Sequence, residues 1–113
     1  MAKTSQSKGI YEYNLLKINQ PKCEVFIDGD LIELEQREFD ILCLLVSHSN
    51  EGLPCDYFHN VLWSHPDSKQ GKQEVILCIQ QLQKKLRLEQ LHLPCRINGV
   101  DTPRGKGYCF VVE

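Results

Sequence analysis

At 113 residues, 42% apolar and 25% charged, the chain is long enough for one modest core and has an ordinary globular composition, which excludes disordered and fibrous classes. No run approaches the roughly 18 apolar residues of a membrane span, and the opening MAKTSQSKG leads into no apolar h-region, so neither a membrane nor a secreted protein is expected. The formal net charge of −2 argues against a strongly basic, indiscriminate nucleic-acid binder, but the charge is uneven: residues 1–63 hold five Lys/Arg and ten Asp/Glu, and residues 64–113 hold eight and five.

Residues 1–9 read as a lead-in and residues 10–113 as a single domain. From Ile10 to Leu34 the chain alternates short apolar runs with turn signals: YEYNLLKI, then NQPK, CEVFI, Asp28-Gly29-Asp30 and LIEL. An Asp-Gly pair between such runs is a hairpin signal, and the pattern predicts about three antiparallel strands. The period then changes. Phe39, Leu42, Cys43 and Val46, widened by Ile41 and Leu45, share one face of a helix over Glu35–His48, with acidic residues at its start. Asn50-Glu51-Gly52 ends it, with Gly52 predicted as a left-handed cap, and Leu53 adds a brief extended stretch. Asp56–Trp63 is a second short helix begun by the turn at Pro54, with Phe58, Val61, Leu62 and Trp63 turned to the core. The polar stretch SHPDSKQGK is a loop.

The most informative stretch follows, Gln73 to Leu86, QEVILCIQQLQKKL. Helical spacing puts Val75, Cys78, Ile79, Leu82 and Leu86 on one stripe. The opposite face collects Gln73, Leu77, Gln80 and Lys84, with Gln81 on its flank and Lys85 and Arg87 after it. Glutamine both donates and accepts, as a base edge in the major groove of DNA requires. A plain solvated face has similar composition, since Gln and Lys are good helix formers. Beyond a connection from Arg87, Cys95-Arg96-Ile97 reads as a strand. The glycine-rich stretch Gly99–Gly107 then forms the basic tip of a β-hairpin that closes through Tyr108–Val112.

Six cysteines, at 23, 43, 55, 78, 95 and 109, form an even count. Without a secretory signal, and with Cys43 and Cys78 on apolar stripes, they are read as free thiols of a reducing, cytoplasmic setting rather than as a disulfide framework. Cys55-x-x-x-His59 and His92-x-x-Cys95 are the nearest approach to a zinc set; their spacing is poor, and no metal or other cofactor is expected. His48 and His65 read as surface or capping residues, and Trp63 as core rather than a platform for stacking bases. No nucleophile motif or phosphate cradle is present, so no enzymatic activity is expected.

The order of strands, three helices and a basic-tipped hairpin, together with several residue matches, resembles the OmpR/PhoB-type transcriptional regulatory domain. The matches are Ile32-Glu33-Leu34, Glu38-Phe39 followed by Ile41-Leu42, and Asp56, Phe58 and Trp63. In the third helix they are Val75, Ile79, Leu82, Lys84 and Leu86. The most specific is Arg104-Gly105-Lys106-Gly107-Tyr108, which is similar to that family's Arg-Gly-x-Gly-Tyr wing signature. The resemblance spans residues 10 to 112 and implies an α+β winged helix-turn-helix. It further implies a bacterial, sequence-specific DNA-binding transcription regulator that sets its third helix in the major groove and its hairpin wing in the minor groove. Phosphate positioning then falls to Lys69, Lys72, Lys84 and Lys85; base reading to Gln73, Gln80 and Gln81, with Leu77 against a thymine methyl; and the minor groove to Arg104, aided by Lys106.

Departures from the family pattern are equally concrete. Gln73, Gln80, Gln81 and Gln83 stand where the family carries arginines, Glu74 stands where a small residue meets phosphate, and Pro54 replaces a capping serine. Two functions stay open. The chain binds double-stranded DNA, with homodimerisation on direct repeats or a partner compensating for lost cations. Alternatively, it is a degenerate winged helix that contacts proteins, either another regulator or RNA polymerase, the latter through the loop from Ser64 to Lys72.

Overall fold

The structure is a computed structural model that describes residues 9–63, 71–88, 91 and 93–112. Its first layer is an antiparallel sheet of four strands in chain order: β1 Ile10–Tyr13, β2 Leu16–Asn19, β3 Glu24–Ile27 and β4 Asp30–Leu31. Three strands were expected. YEYNLLKI is two strands, because Asn14 takes a left-handed φ of 58° and folds the run on itself in a two-residue turn, with Tyr13 opposite Leu16. Asn tolerates that region better than other non-glycine residues. The Asp28-Gly29 turn is as predicted: both residues have positive φ (53° and 83°), as a tight hairpin matching strand twist requires. Leu16, Ile18, Val25 and Ile27 alternate inward and are buried, while Lys17 and Phe26 stand on the other face.

Helix α1 runs Gln36–Ser47. At its start the Glu35 N–H donates to the Glu38 carboxylate (3.0 Å), and the Gln36 amide donates to Asp40 (2.8 Å). His48 closes the helix, its N–H donating to Leu45 O. The left-handed residue after it is Asn50 (φ 63°), not Gly52. The Asn50 N–H donates to Phe110 O (2.8 Å) and its Oδ1 accepts from Val112 N (2.9 Å), so Asn50 stitches this loop to the last strand. Gly52 instead lies against Val100, 3.1 Å from where its Cβ would be.

Strand β5 Leu53–Pro54 leads into α2 Cys55–Leu62, then α3 Gly71–Leu86, β6 Cys95–Thr102 and β7 Gly105–Val112. The second sheet has the order β5-β7-β6. On α2, Phe58, Cys55 and His59 are buried, but Val61 is 52% exposed, against expectation. At about 100° per residue Val61 lies roughly 110° round from the centre of that buried face. The core gathers side chains from both sheets and all three helices, with Leu16, Ile18, Ile41, Leu45, Phe58, Ile79, Leu82 and Phe110 fully buried. No helix among the described residues is long and apolar enough to cross a membrane.

The C-terminal hairpin is longer and tighter than its sequence implied. The stretch expected as the glycine-rich tip of the hairpin continues the ladder to Thr102↔Gly105, which leaves only Pro103 and Arg104 in the turn. Thr102 Oγ1 donates to Gly105 O (2.7 Å) and accepts from Arg104 N (3.2 Å), and Gly105 takes φ 113°. Gly107 has another role: it lets β5 approach β7, since a Cβ there would lie 2.0 Å from Leu53 O.

Candidate nucleic-acid interface

Helix α3 is divided as its periodicity predicts. Val75, Ile79, Leu82 and Leu86 are 0% exposed, Cys78 is half-buried, and Gln73, Leu77, Gln80, Gln81 and Lys84 are exposed. Leu77 is the unusual member, an apolar side chain left 57% exposed between amides.

Three polar residues of α3 have intramolecular partners that distance in sequence conceals. Gln83 is half-buried and donates from Nε2 to Ile97 O (2.8 Å), which ties the helix to β6. Glu74 accepts from Trp63 Nε1 (3.0 Å). Trp63 is half-buried and carries the Arg37 guanidinium over its ring (4.0 Å) and the stacked imidazole of His59 (5.3 Å), so it serves structure rather than base stacking. Lys85 donates to Glu38 Oε1 (2.7 Å), a carboxylate only 1% exposed. That hydrogen bond and the adjacent negative charge hold the Lys85 ammonium above its usual pKa. An ion pair, as well as apolar packing, therefore docks α3 on α1.

Beyond Lys85 the helix closes at Arg87, whose left-handed φ of 49° turns the chain while its N–H donates to Gln83 O (2.9 Å). Lys84, Arg87 and Arg96 then line a groove of about 500 Å³, floored by Leu88 and Ile97, between the end of α3 and β6. Arg96 was missed in the sequence: it lies on a strand, and only the β6 register brings it beside α3. At the far end of the hairpin, Arg104 and Lys106 are exposed. A cleft of about 360 Å³, with Ile76 on one wall and Val100, Lys106, Gly107 and Tyr108 on the other, separates the hairpin from the first half of α3. Lys69, His65 and the Lys72 side chain lie outside the described residues.

All six cysteines are free thiols. Burial pushes Cys43 up to about 12 and Cys95 up to about 11, which makes both poor nucleophiles and poor metal ligands. Among the described residues no cluster of three or more His, Cys, Asp or Glu could hold a metal.

The family model "Transcriptional regulatory protein, C terminal" matches residues 29–110. The chain belongs to this family. Its fold is the winged helix of OmpR/PhoB-type domains: an N-terminal antiparallel sheet, three helices and the β6–β7 hairpin as the wing. The DNA-binding domain of RstA from Klebsiella pneumoniae, solved in complex with the RstA box, superposes with a TM-score of 0.70 at 27% identity, over 90% of this chain and 96% of that one. The response regulator DrrB from Thermotoga maritima, an OmpR/PhoB homolog, superposes with a TM-score of 0.73 at 24% identity, over 92% of this chain and 45% of that one. The "Probable transcriptional regulator ycf27" of Guillardia theta is 29% identical over 105 residues, which cover 92% of this chain. The chain spans 40% of that relative's length.

Proposed function

We propose that this domain binds double-stranded DNA as the sequence-reading part of a transcription regulator, with α3 in the major groove and the hairpin tip in the adjacent minor groove. The observation that carries this is the division of α3: one stripe fully buried, the other an exposed row of amides, Leu77 and Lys84. A helix fits the major groove, and amides match the donor–acceptor pattern displayed there. A two-residue turn bearing Arg104 is slim enough for the minor groove, where the potential is most negative. Lys84, Arg87 and Lys106 supply phosphate contacts, and Lys69, ahead of α3 in sequence, and Lys72, its second residue, add to them. Lys85 has its primary partner in Glu38 and contributes less than its neighbours.

DNA in complex with the RstA domain supports the same reading, as does family membership. With so few cations, binding is expected to be weak without the right bases and to depend only moderately on salt. Four to five phosphate contacts give a slope of log K against log salt of about −4. Fluorescence anisotropy on a sequence enriched from a random duplex pool tests this. Arg104→Ala and Lys84→Ala are expected to weaken binding to all duplexes and to reduce the slope by about one each, with the loss from Arg104→Ala greatest where the minor groove is narrow. Gln80→Ala is expected chiefly to relax base preference. The same titration reads whether one copy or two occupy the site. If random and enriched duplexes are both ignored at low salt, DNA binding is refuted.

A further inference from the structure

The internal partners of Gln83, Glu74 and Lys85 narrow the outer face of α3 to Gln73, Leu77, Gln80, Gln81 and Lys84. We infer that this face and the hairpin tip select an A·T-dominated half-site. The inference rests on the DNA-binding reading above and adds to it the base composition of the target.

Adenine shows the major groove an acceptor at N7 beside a donor at N6, which one Gln amide meets with its own donor and acceptor. Guanine shows two acceptors, which Arg or Lys satisfies with two donors, whereas the Gln oxygen would face guanine O6 with no proton between them. From Gln73 to Gln81 the exposed face of α3 carries no cation. After Lys72, at the head of the helix, the next cation is Lys84, near its end, so the turns from Gln73 to Gln81 carry no two-donor guanine reader. Leu77 lies one turn after Gln73 and one turn before Gln80 and Gln81. A leucine 57% exposed at that spot has an apolar surface suited to the thymine C5-methyl, the one apolar group on the major-groove edge. Gln73 to Gln80 covers about 10 Å of helix axis, or about three base pairs.

The hairpin leads to the same base composition independently. Its turn is only Pro103-Arg104, with Lys106 two residues on. A-tracts have narrow minor grooves whose deepened negative potential draws inserted arginine. Both elements therefore discriminate in the same direction.

The test is selection from a random duplex pool with the 113-residue chain, followed by anisotropy titrations of the enriched duplex in two altered forms. In one, single A·T pairs become G·C; in the other, deoxyuridine replaces thymidine. The expected result is three to four adjacent A·T pairs per half-site, with loss of about ten-fold or more for a G·C replacement. Removing a contacted methyl with deoxyuridine should weaken binding about three- to four-fold. Leu77→Ala, at an exposed position that leaves the core intact, should bind the thymidine and deoxyuridine duplexes equally. A G·C-rich enriched core, or equal affinity of the unaltered chain for both duplexes, overturns the assignment while leaving DNA binding standing. Failure to retain any duplex at low salt removes both.

Discussion

Gly107→Ala isolates what holds the hairpin to the body of the domain. A Cβ at this position would lie 2.0 Å from Leu53 O and 2.7 Å from both Leu53 C and Pro54 Cα, all backbone atoms that no rotamer change can move aside. Relief requires β5 to retreat by more than about 1 Å. That retreat breaks the two-residue pairing Leu53↔Tyr108 and Pro54↔Gly107 and draws Leu53, only 6% exposed, part-way into water. Lost backbone hydrogen bonds at about 1 kcal/mol each and partial exposure of one leucine at about 1 kcal/mol together give a destabilisation of about 3 kcal/mol. For a domain of this size that corresponds to a melting point about 12 °C lower. Gly99→Ala in the same hairpin is the control, because its Cβ would come no closer than 4.0 Å to Tyr108 Cε1. It should change stability by less than about 0.5 kcal/mol. Urea unfolding followed by Trp63 fluorescence measures both. If Gly107→Ala unfolds within about 0.5 kcal/mol of the parent, the close approach of β5 is not a constraint and the explanation for this glycine fails.

Other substitutions separate structural from binding roles. Gln83→Ala should lose about 1 kcal/mol of stability through the orphaned Ile97 carbonyl, with the salt dependence of duplex binding unchanged in titrations at several ionic strengths. Glu74→Ala should also cost about 1 kcal/mol by leaving the Trp63 indole N–H unpaired, yet raise duplex affinity by removing a carboxylate near the start of α3; an affinity that falls would place Glu74 on the DNA-contacting side. The thiols set an alkaline limit. Cys43 and Cys95 are held above their unfolded values, so the unfolded chain releases these protons first, and stability should decline as pH rises from about 9 towards 12 in urea midpoints. In the native state at pH 8, a thiol reagent should label the exposed Cys23 quickly and Cys43 and Cys95 only on unfolding.

Most of the fold could be read in the sequence because it is written in local periods. The buried and exposed faces of α3 follow from spacing alone, and the Asp28-Gly29 turn follows from the left-handed backbone that pair accepts. What escaped depends on contacts across long separations or on unusual turn residues. Asn14 is the one local sign that the run splits into two strands, and a single Asn between apolar residues is a weak turn signal. Glycines at 99, 105 and 107 read together as the tip of a hairpin, whereas all three are paired in the ladder, only Pro103 and Arg104 form the turn, and Gly107 admits a neighbouring strand. The partners of Glu74, Gln83 and Lys85 lie 11, 14 and 47 residues away. Helical position alone cannot separate such residues from Gln80 or Lys84, which is why Lys85 falls among the phosphate contacts in the sequence, while Arg96, on β6, is brought beside α3 only by the strand's register.

The paired ladder out to Thr102 and Gly105 makes the hairpin a stiff arm whose root is Phe110, fully buried and packed on the Tyr13 ring at 5.2 Å. Arg104 lies six residues from that root, about 20 Å along the strand. Over such a length, a pivot of three degrees at Phe110 displaces the tip by about 1 Å. On the proposed reading, aim at the minor groove is thus set in the hydrophobic interior, and a repacking at Tyr13 or Phe110 too mild to register in a melting curve would still mis-sight the arginine.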